Sequence, residues 1–256
     1  MTRKDRLSRL INALKIGAAN VEKLAKSFDV SASTIRRDLQ FLEQNGSIQR
    51  TYGGAVLNHA VPEMSFIERM AHFGESKRAI AAKACELIKD GDTIMLDAGS
   101  TVCALGLLLK ERELHIITNN LMLVPIFEGS TTLDFTIIGG KCRNTSMGVF
   151  GSLSLQNIQS FSADFFFTSA DGVVANLGLC EVSLEQTILK EAMIRRSAKT
   201  VVLADAHKIN RAEQHCWTKL PASWTLITDK IMSDEENDLF AFAGATILHA
   251  ESPNVG

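Results

Sequence analysis

The hydrophobic positions of the chain change period along its length. Between Lys4 and Ile16, Leu7, Leu10, Ile11 and Leu14 recur at helical spacing, and Gly17 follows as a stop. A second short helix is predicted from Asn20, an N-cap residue type, through VEKLAKSF. Asp29-Val30-Ser31 then makes a tight turn. The third helix runs from Ser31 to Gln44, with Ile35, Leu39 and Leu42 inward and Asn45-Gly46 as its stop. SIQRT-YGG-AVL follows as two short strands around a Gly-Gly turn. Three helices, a tight turn before the third, and a hairpin predict a winged helix-turn-helix over residues 1–57.

Residues 58–75 carry Pro62 and polar residues without a long period, and predict a linker with room for a short helix over Ser65–Phe73. From residue 76 to 256 the pattern becomes an alternation. After the amphipathic stretch ESKRAIAAKACELIKDG come short apolar runs at 93–97, 115–118, 134–138, 164–169, 200–205, 225–228 and 245–249. Helical segments are predicted between them at 100–111, 120–128, 183–198 and 234–243. Strand and helix in alternation predict a largely parallel, Rossmann-like α/β sheet with helices on both faces.

Composition adds one asymmetry. The 256 residues carry a formal net charge of −2, yet residues 1–56 hold ten Lys/Arg against five Asp/Glu. A small basic module is joined to a larger acidic one, which points to nucleic acid as partner of the first. No apolar run approaches the roughly 20 residues of a membrane span. The charged opening MTRKDRLSRL predicts no signal peptide, and the expected location is the cytoplasm. Cys85, Cys103, Cys142, Cys180 and Cys216 are odd in number and widely spaced, so they read as reduced thiols. No metal or cofactor spacing is present.

Within the basic module, Ser33, Thr34, Arg36 and Arg37 stand at the start of the third helix, where a helix-turn-helix meets base edges and phosphates. Two cations at a helix N-terminus oppose the macrodipole, a conflict that DNA phosphates would relieve. Arginine is shaped for bidentate contact with guanine or phosphate. Asp38 is a candidate to hold one of these arginines by a local ion pair. Arg50 and Tyr52 on the wing would reach flanking backbone or minor groove. A module of this size reads few base pairs, so a homo-oligomer, dimer or tetramer, is expected.

In the acidic module, Asp97-Ala98-Gly99-Ser100-Thr101 turns from the first strand into a helix. A glycine-containing turn at a helix N-terminus suits an anion, and Ser100 and Thr101 add hydroxyls. A plain N-cap explains the motif equally well. Asn119, Lys141, Arg143, Asp171 and Lys208 fall at other strand ends, the usual ligand edge of an α/β sheet. Lys77 could also reach an anion, against the alternative of a solvated helix start.

The runs Arg6–Leu14, Ser31 and Thr34-Ile35-Arg36-Arg37-Asp38-Leu39 resemble the signature of the DeoR family of bacterial transcriptional regulators. The resemblance continues through RTYGGAVL, SKRAIAAKA, LDAGST, ITNN, Gly139-Gly140, ADGV and VLADAHK, and so spans nearly the whole chain. AHK at 206–208 departs from it, since small polar residues more often precede that lysine, and Ile209 replaces the usual aromatic. The resemblance implies a sensor domain similar to ribose-5-phosphate isomerase that binds a phosphorylated sugar. It places the phosphate at Gly99, Ser100 and Thr101, with the strand-end residues as further contacts. The implied function is a non-enzymatic repressor of carbohydrate-metabolism genes. The alternative is a sugar-phosphate isomerase carrying a DNA-binding module. For that reading Asp171, Glu181, Glu185 and Glu191 supply candidate carboxylates, although a helix start accounts for Glu181 and Glu185 as well.

Overall fold

The computed structural model describes residues 6, 7, 10, 13, 19–44, 48–51, 54–57, 65–72 and 74–251. The chain divides into two compact units, residues 1–63 and 64–256. The first unit contains β1 (Ala19–Asn20), α1 (Val21–Phe28), α2 (Ala32–Gln44), β2 (Ile48–Thr51) and β3 (Gly54–Leu57), and Arg6, Leu7, Leu10 and Ala13 are also helical. Leu10, Val21, Leu24, Ile35, Leu39 and Leu42 form its core. β2 and β3 pair antiparallel with Thr51 opposite Gly54, as expected of a wing. Asn20 does not simply cap α1: it lies in β1, opposite Gly54 of β3. Gly17, Asn45, Gly46, Tyr52 and Gly53 lie outside the described residues.

The turn between α1 and α2 is fixed by its own backbone. Asp29 takes a left-handed φ of 51°, a conformation short polar side chains tolerate. The Val30 N–H donates to the Ala25 carbonyl at 3.1 Å and the Asp29 N–H to Lys26 at 3.4 Å, closing α1 in a Schellman arrangement. Asp38 does not serve as a local partner in the way expected. It is buried, and Arg6 reaches it from 32 residues away with Nε and Nη2 at 2.5 and 3.3 Å. The first helix is thereby tied to the third.

In the second unit α3 (Phe66–Ala71) opens with a capping box between Ser65 and Glu68, and α4 (Gly74–Cys85) follows. Phe66 is buried in the core of this unit, so packed helix begins ahead of residue 76, inside the stretch read as linker. The strands are β4 (Thr93–Leu96), β5 (Leu114–Thr118), β6 (Leu133–Ile137), β7 (Lys141–Arg143), β8 (Gly148–Phe150), β9 (Ala163–Thr168), β10 (Gly172–Val174), β11 (Gly178–Glu181), β12 (Ser197–Leu203), β13 (Cys216–Thr218), β14 (Trp224–Thr228) and β15 (Ala245–His249). Between them lie α5 (Ser100–Leu109), α6 (Leu123–Phe127), α7 (Ser152–Ile158), α8 (Leu184–Arg195) and α9 (Asp234–Phe242).

Seven strands form one parallel sheet in the order β15-β14-β12-β9-β4-β5-β6. Alternate side chains of each strand enter opposite layers. Phe165 and Phe167 of β9 join Ile94 and Leu96 beneath α4, α5 and α6, whereas Phe166 and Met95 face α7 and α8. Burial on both faces explains why these strands read as continuous apolar runs. Chain order reverses between β4 and β9, and ligands of open α/β sheets bind in the crevice at such a reversal.

Three additions escaped the sequence pattern. β7 and β8 form a hairpin, α7 follows it, and β10, β11 and β13 make a small antiparallel sheet. The small sheet folds tightly against the loop after β12, where a Cβ on Gly172 would collide with the Arg211 backbone carbonyl. Gly172→Ala is therefore expected to destabilise the second unit by about 1–3 kcal/mol, the usual penalty of an overpacked site. Thermal unfolding followed by circular dichroism checks this, and an unchanged melting temperature would contradict it.

Candidate effector site and nucleic-acid interface

The ends of β4, β5, β9 and β12 lie at one edge of the sheet, and of the polar residues expected there Asn119 meets Asp97 directly. Its backbone N–H donates to Phe167 O at 3.0 Å, carrying the β4–β9 pairing past the strand. Its carboxylate is buried, not turned toward solvent. Oδ1 accepts from the Ala98 N–H at 2.7 Å and from Asn119 Nδ2 at 3.2 Å. Oδ2 accepts from Thr168 Oγ1 at 2.6 Å and from Lys190 Nζ of α8. Asp97 is thus placed to position its loop, which differs from the direct ligand contact expected of it.

Lys190 is the residue that sequence reasoning missed. It is 3% exposed, and besides Asp97 its ammonium meets Glu181 Oε1 at 3.0 Å, Thr168 Oγ1 at 3.0 Å and Ser169 O at 2.7 Å. Burial alone would lower its pKa, but the charges of Asp97 and Glu181 outweigh burial and hold it above the ordinary lysine value. Burial pushes the Glu181 carboxyl up to about 7 despite Lys190, and Asp171 and Asp97 add to the rise. Gln186 Nε2 donates to the second oxygen of Glu181 at 3.3 Å. Glu181 is therefore not on a helix start as read from sequence: it ends β11 and faces inward. A signal for Lys190 existed, since it shares a helical stripe with Gln186 and Met193, three or four residues apart and all buried.

The loop from Asp97 leads directly into α5. Its N-cap Gly99 is extended, and a Cβ there would meet Ser169 Oγ, which would have to turn away. Gly99 offers no side-chain cap, and no acidic residue lies in the first turn of α5. Ser100 and Thr101 are buried in that turn. Asn120 staples the loop from below, with Nδ2 donating to Asp97 O at 3.1 Å and Gly99 O at 3.4 Å. Asn119 is fully buried, and its Oδ1 has no hydrogen-bond partner among the described residues.

The β7–β8 hairpin rests on these loops. The Val149 N–H donates to Asn119 O at 2.8 Å and the Leu121 N–H to Met147 O at 2.9 Å. A Cβ on Gly148 would come within 2.6 Å of Ala98 Cβ. The hairpin carries Lys141, which is exposed, and Arg143, which is half-buried. At the other side, Asp205 is buried and accepts from the His207 N–H at 3.0 Å, while Lys208 faces Asp171 across 3.8 Å. Lys77 is no solvated helix start. It is buried, and Nζ donates to Arg69 O and to His72 O at 2.7 Å. Burial lowers it to about 8, with Asp205 opposing and Lys208 and Arg69 adding to the fall.

In the first unit Ser31 caps α2. Its Oγ accepts from the Thr34 N–H at 3.2 Å and lies 2.8 Å from the hydroxyls of both Ser33 and Thr34. Arg36 and Arg37 are exposed on the first turns while Ile35 and Leu39 are buried. Arg50 lies on β2 opposite Ala55, and Tyr52 lies outside the described residues. No group of metal-ligating side chains is found among the described residues. None of the described helices is long and apolar enough to cross a membrane.

Comparison with known proteins gives family matches for each unit and relatives that span both. Ribose 5-phosphate isomerase A from Methanocaldococcus jannaschii covers 52% of this chain and 53% of its own at 18% identity and a TM-score of 0.38. The lactose phosphotransferase system repressor of Lactococcus lactis is 32% identical over 98% of this chain and 100% of its own. The HTH-type transcriptional regulator GolR of Listeria innocua is 32% identical over 96% and 98%. The glycerol-3-phosphate regulon repressor of Haemophilus influenzae is 30% identical over 76% of each. The DeoR-like helix-turn-helix domain matches residues 3–61 and the DeoR C terminal sensor domain matches residues 73–230. The chain belongs to the DeoR family.

Proposed function

We propose that this chain is a DNA-binding transcriptional regulator, a repressor of carbohydrate-metabolism genes whose hold on operator DNA is controlled by a phosphorylated sugar. The observation that carries the effector half is the start of α5. An uncapped helix N-terminus, two first-turn side chains with hydroxyls and a glycine without a side chain meet where the sheet order reverses. Gly99, Ser100 and Thr101 take the phosphate. Asn119, Lys141, Arg143, Asp171 and Lys208 border the remainder of the ligand, and Asp97 positions the loop. The names of the relatives, repressors of a lactose phosphotransferase system and of a glycerol-3-phosphate regulon, support a phosphorylated effector.

The DNA half rests on α2 and the wing. Ser33, Thr34, Arg36 and Arg37 read the major groove, and Arg50 and Tyr52 hold the flanking backbone. Recognition of two half-sites calls for at least a dimer. The protein acts in the cytoplasm and is not an enzyme. Three of the four carboxylates considered for an isomerase have cationic partners: Glu181 is buried on Lys190, Asp171 faces Lys208 across 3.8 Å, and Glu191 pairs with Arg195 at 3.7 Å. Incubation with pentose and hexose phosphates tests the catalytic alternative, which turnover at an enzymatic rate would support.

A thermal-shift screen against phosphorylated sugars tests the effector, because a ligand of the folded state alone raises the melting temperature. Replacing both arginines, Arg36→Ala/Arg37→Ala, is expected to cost roughly 1–3 kcal/mol of operator affinity per lost base contact and to flatten the salt dependence. Unchanged affinity with the fold intact would remove α2 as the reader. Thr101→Asp places a fixed negative charge where the phosphate belongs. It is expected to abolish the shift given by the sugar phosphate while operator binding stays at the wild-type level, making a repressor that cannot be induced. If the motif were only a helix cap, an aspartate there would be tolerated or slightly stabilising, so wild-type ligand affinity in this variant would sink the phosphate assignment.

A further inference from the structure

The buried cluster behind the α5 loop is unbalanced. Asp97 and Glu181 are 1% and 4% exposed, and the one ammonium between them belongs to Lys190. Lys190 has three protons and four acceptors around it, from Asp97, Glu181, Thr168 and Ser169. Thr168 gives its own proton to Asp97, which leaves Lys190 divided between two carboxylates. With both ionised, the cluster carries one excess negative charge in a site closed to water. Asp97 stands two residues before the N-cap Gly99, so an anion at α5 arrives beside that excess charge.

We propose that Lys190 and Glu181 are positioning residues that link anion binding at α5 to proton uptake, with Lys190 committed to Asp97 and Glu181 accepting one proton when a dianion binds. This rests on the phosphate site proposed above. No group other than Glu181 within the cluster suits the role. Asp97 is held by four donors, including the Ala98 N–H of the loop itself. Glu181 receives only Lys190 and Gln186 Nε2. A protonated Glu181 turns one of these contacts around without disturbing the loop, since Gln186 offers an oxygen as well as an N–H. The Glu181 carboxyl, pushed up by burial to about 7, already stands close to the proton it would take.

The groups facing the cluster set the direction. Asp171 from the loop after β9 and Asp97 from the end of β4 raise Glu181, Lys190 of α8 lowers it, and a bound dianion adds to the first two. The carboxyl pKa is therefore higher in the complex than in the free protein, so binding tightens as pH falls. One further group near the same sheet edge titrates with the same sign: Lys77, lowered by burial to about 8, loses its attraction for an anion as pH rises.

Inorganic sulfate is the probe, because it stays a dianion throughout the range used. In the full-length protein its affinity, from thermal shift, is expected to strengthen about tenfold between pH 8.5 and 6.5 if the dianion raises the carboxyl by somewhat more than one pH unit. Calorimetry at pH 7.5 in two buffers of different ionisation enthalpy is expected to show uptake of most of one proton per sulfate bound. In Glu181→Gln the amide keeps the hydrogen bond to Lys190 and removes the titration. Its sulfate affinity is expected to be high at pH 8.5 and to lose most of its pH dependence, keeping only the part that Lys77 contributes, and its proton uptake to fall accordingly. Lys190→Arg retains the cation and is expected to keep the wild-type pH profile and proton uptake, and loss of either with the fold intact would remove Lys190 from the linkage. Sulfate binding without proton uptake, or with the same pH dependence in Glu181→Gln, overturns the linkage and assigns any slope to Lys77. Sulfate that raises the melting temperature at no pH overturns the anion site beneath it.

Discussion

One buried ammonium organises the sensor unit. Lys190 reaches from α8 through the sheet edge to the loop of β4, the end of β9 and the end of β11. Four segments, one of them more than 70 residues before the others, are held in register by one charge. Such an arrangement adds little net stability by itself, because desolvating three ions offsets most of their attraction. Its effect is on placement. Asp97, fixed by Lys190, fixes the Ala98 N–H; Asn120 fixes the Gly99 carbonyl; and α5 starts where it does as a result. The order of the sheet brings these parts to the same edge, and the charge cluster determines their spacing within it.

Much of this was legible in the chain. The seven parallel strands were marked by apolar runs such as DFFFTS, because burial on both faces removes any alternation. The helix-turn-helix was marked by Asp29 at the turn, by the Ile35/Leu39/Leu42 face and by the wing. The elements that escaped carry weaker local signals. The β7–β8 hairpin and the small sheet of β10, β11 and β13 have strands of three or four residues whose pairing is set by contacts with distant loops. Glu181 was legible as a carboxylate but not as a buried one. What buries it is Lys190, nine residues on and across a strand-to-helix turn, together with Asp97, 84 residues earlier. Periodicity within one segment contains neither partner.

The DNA-binding unit shows the same limit in smaller form. The exposed pair Arg36-Arg37 and the buried stripe beside it follow from a 100° turn per residue. The partner of Asp38 does not. The carboxylate adjacent to two arginines is turned inward to Arg6, and the arginines of α2 are left exposed to solvent.

α3 depends on an ammonium that is buried against backbone carbonyls. Six residues are too few for a helix to persist on its own, because nucleation costs more than so few hydrogen bonds return. The Ser65–Glu68 box secures one end, and Lys77 secures the other by donating to Arg69 and His72. Arg69 also donates to Thr145 in the hairpin turn. The opening helix of the sensor unit is therefore a conditional one. Its local unfolding free energy is set by side chains outside it.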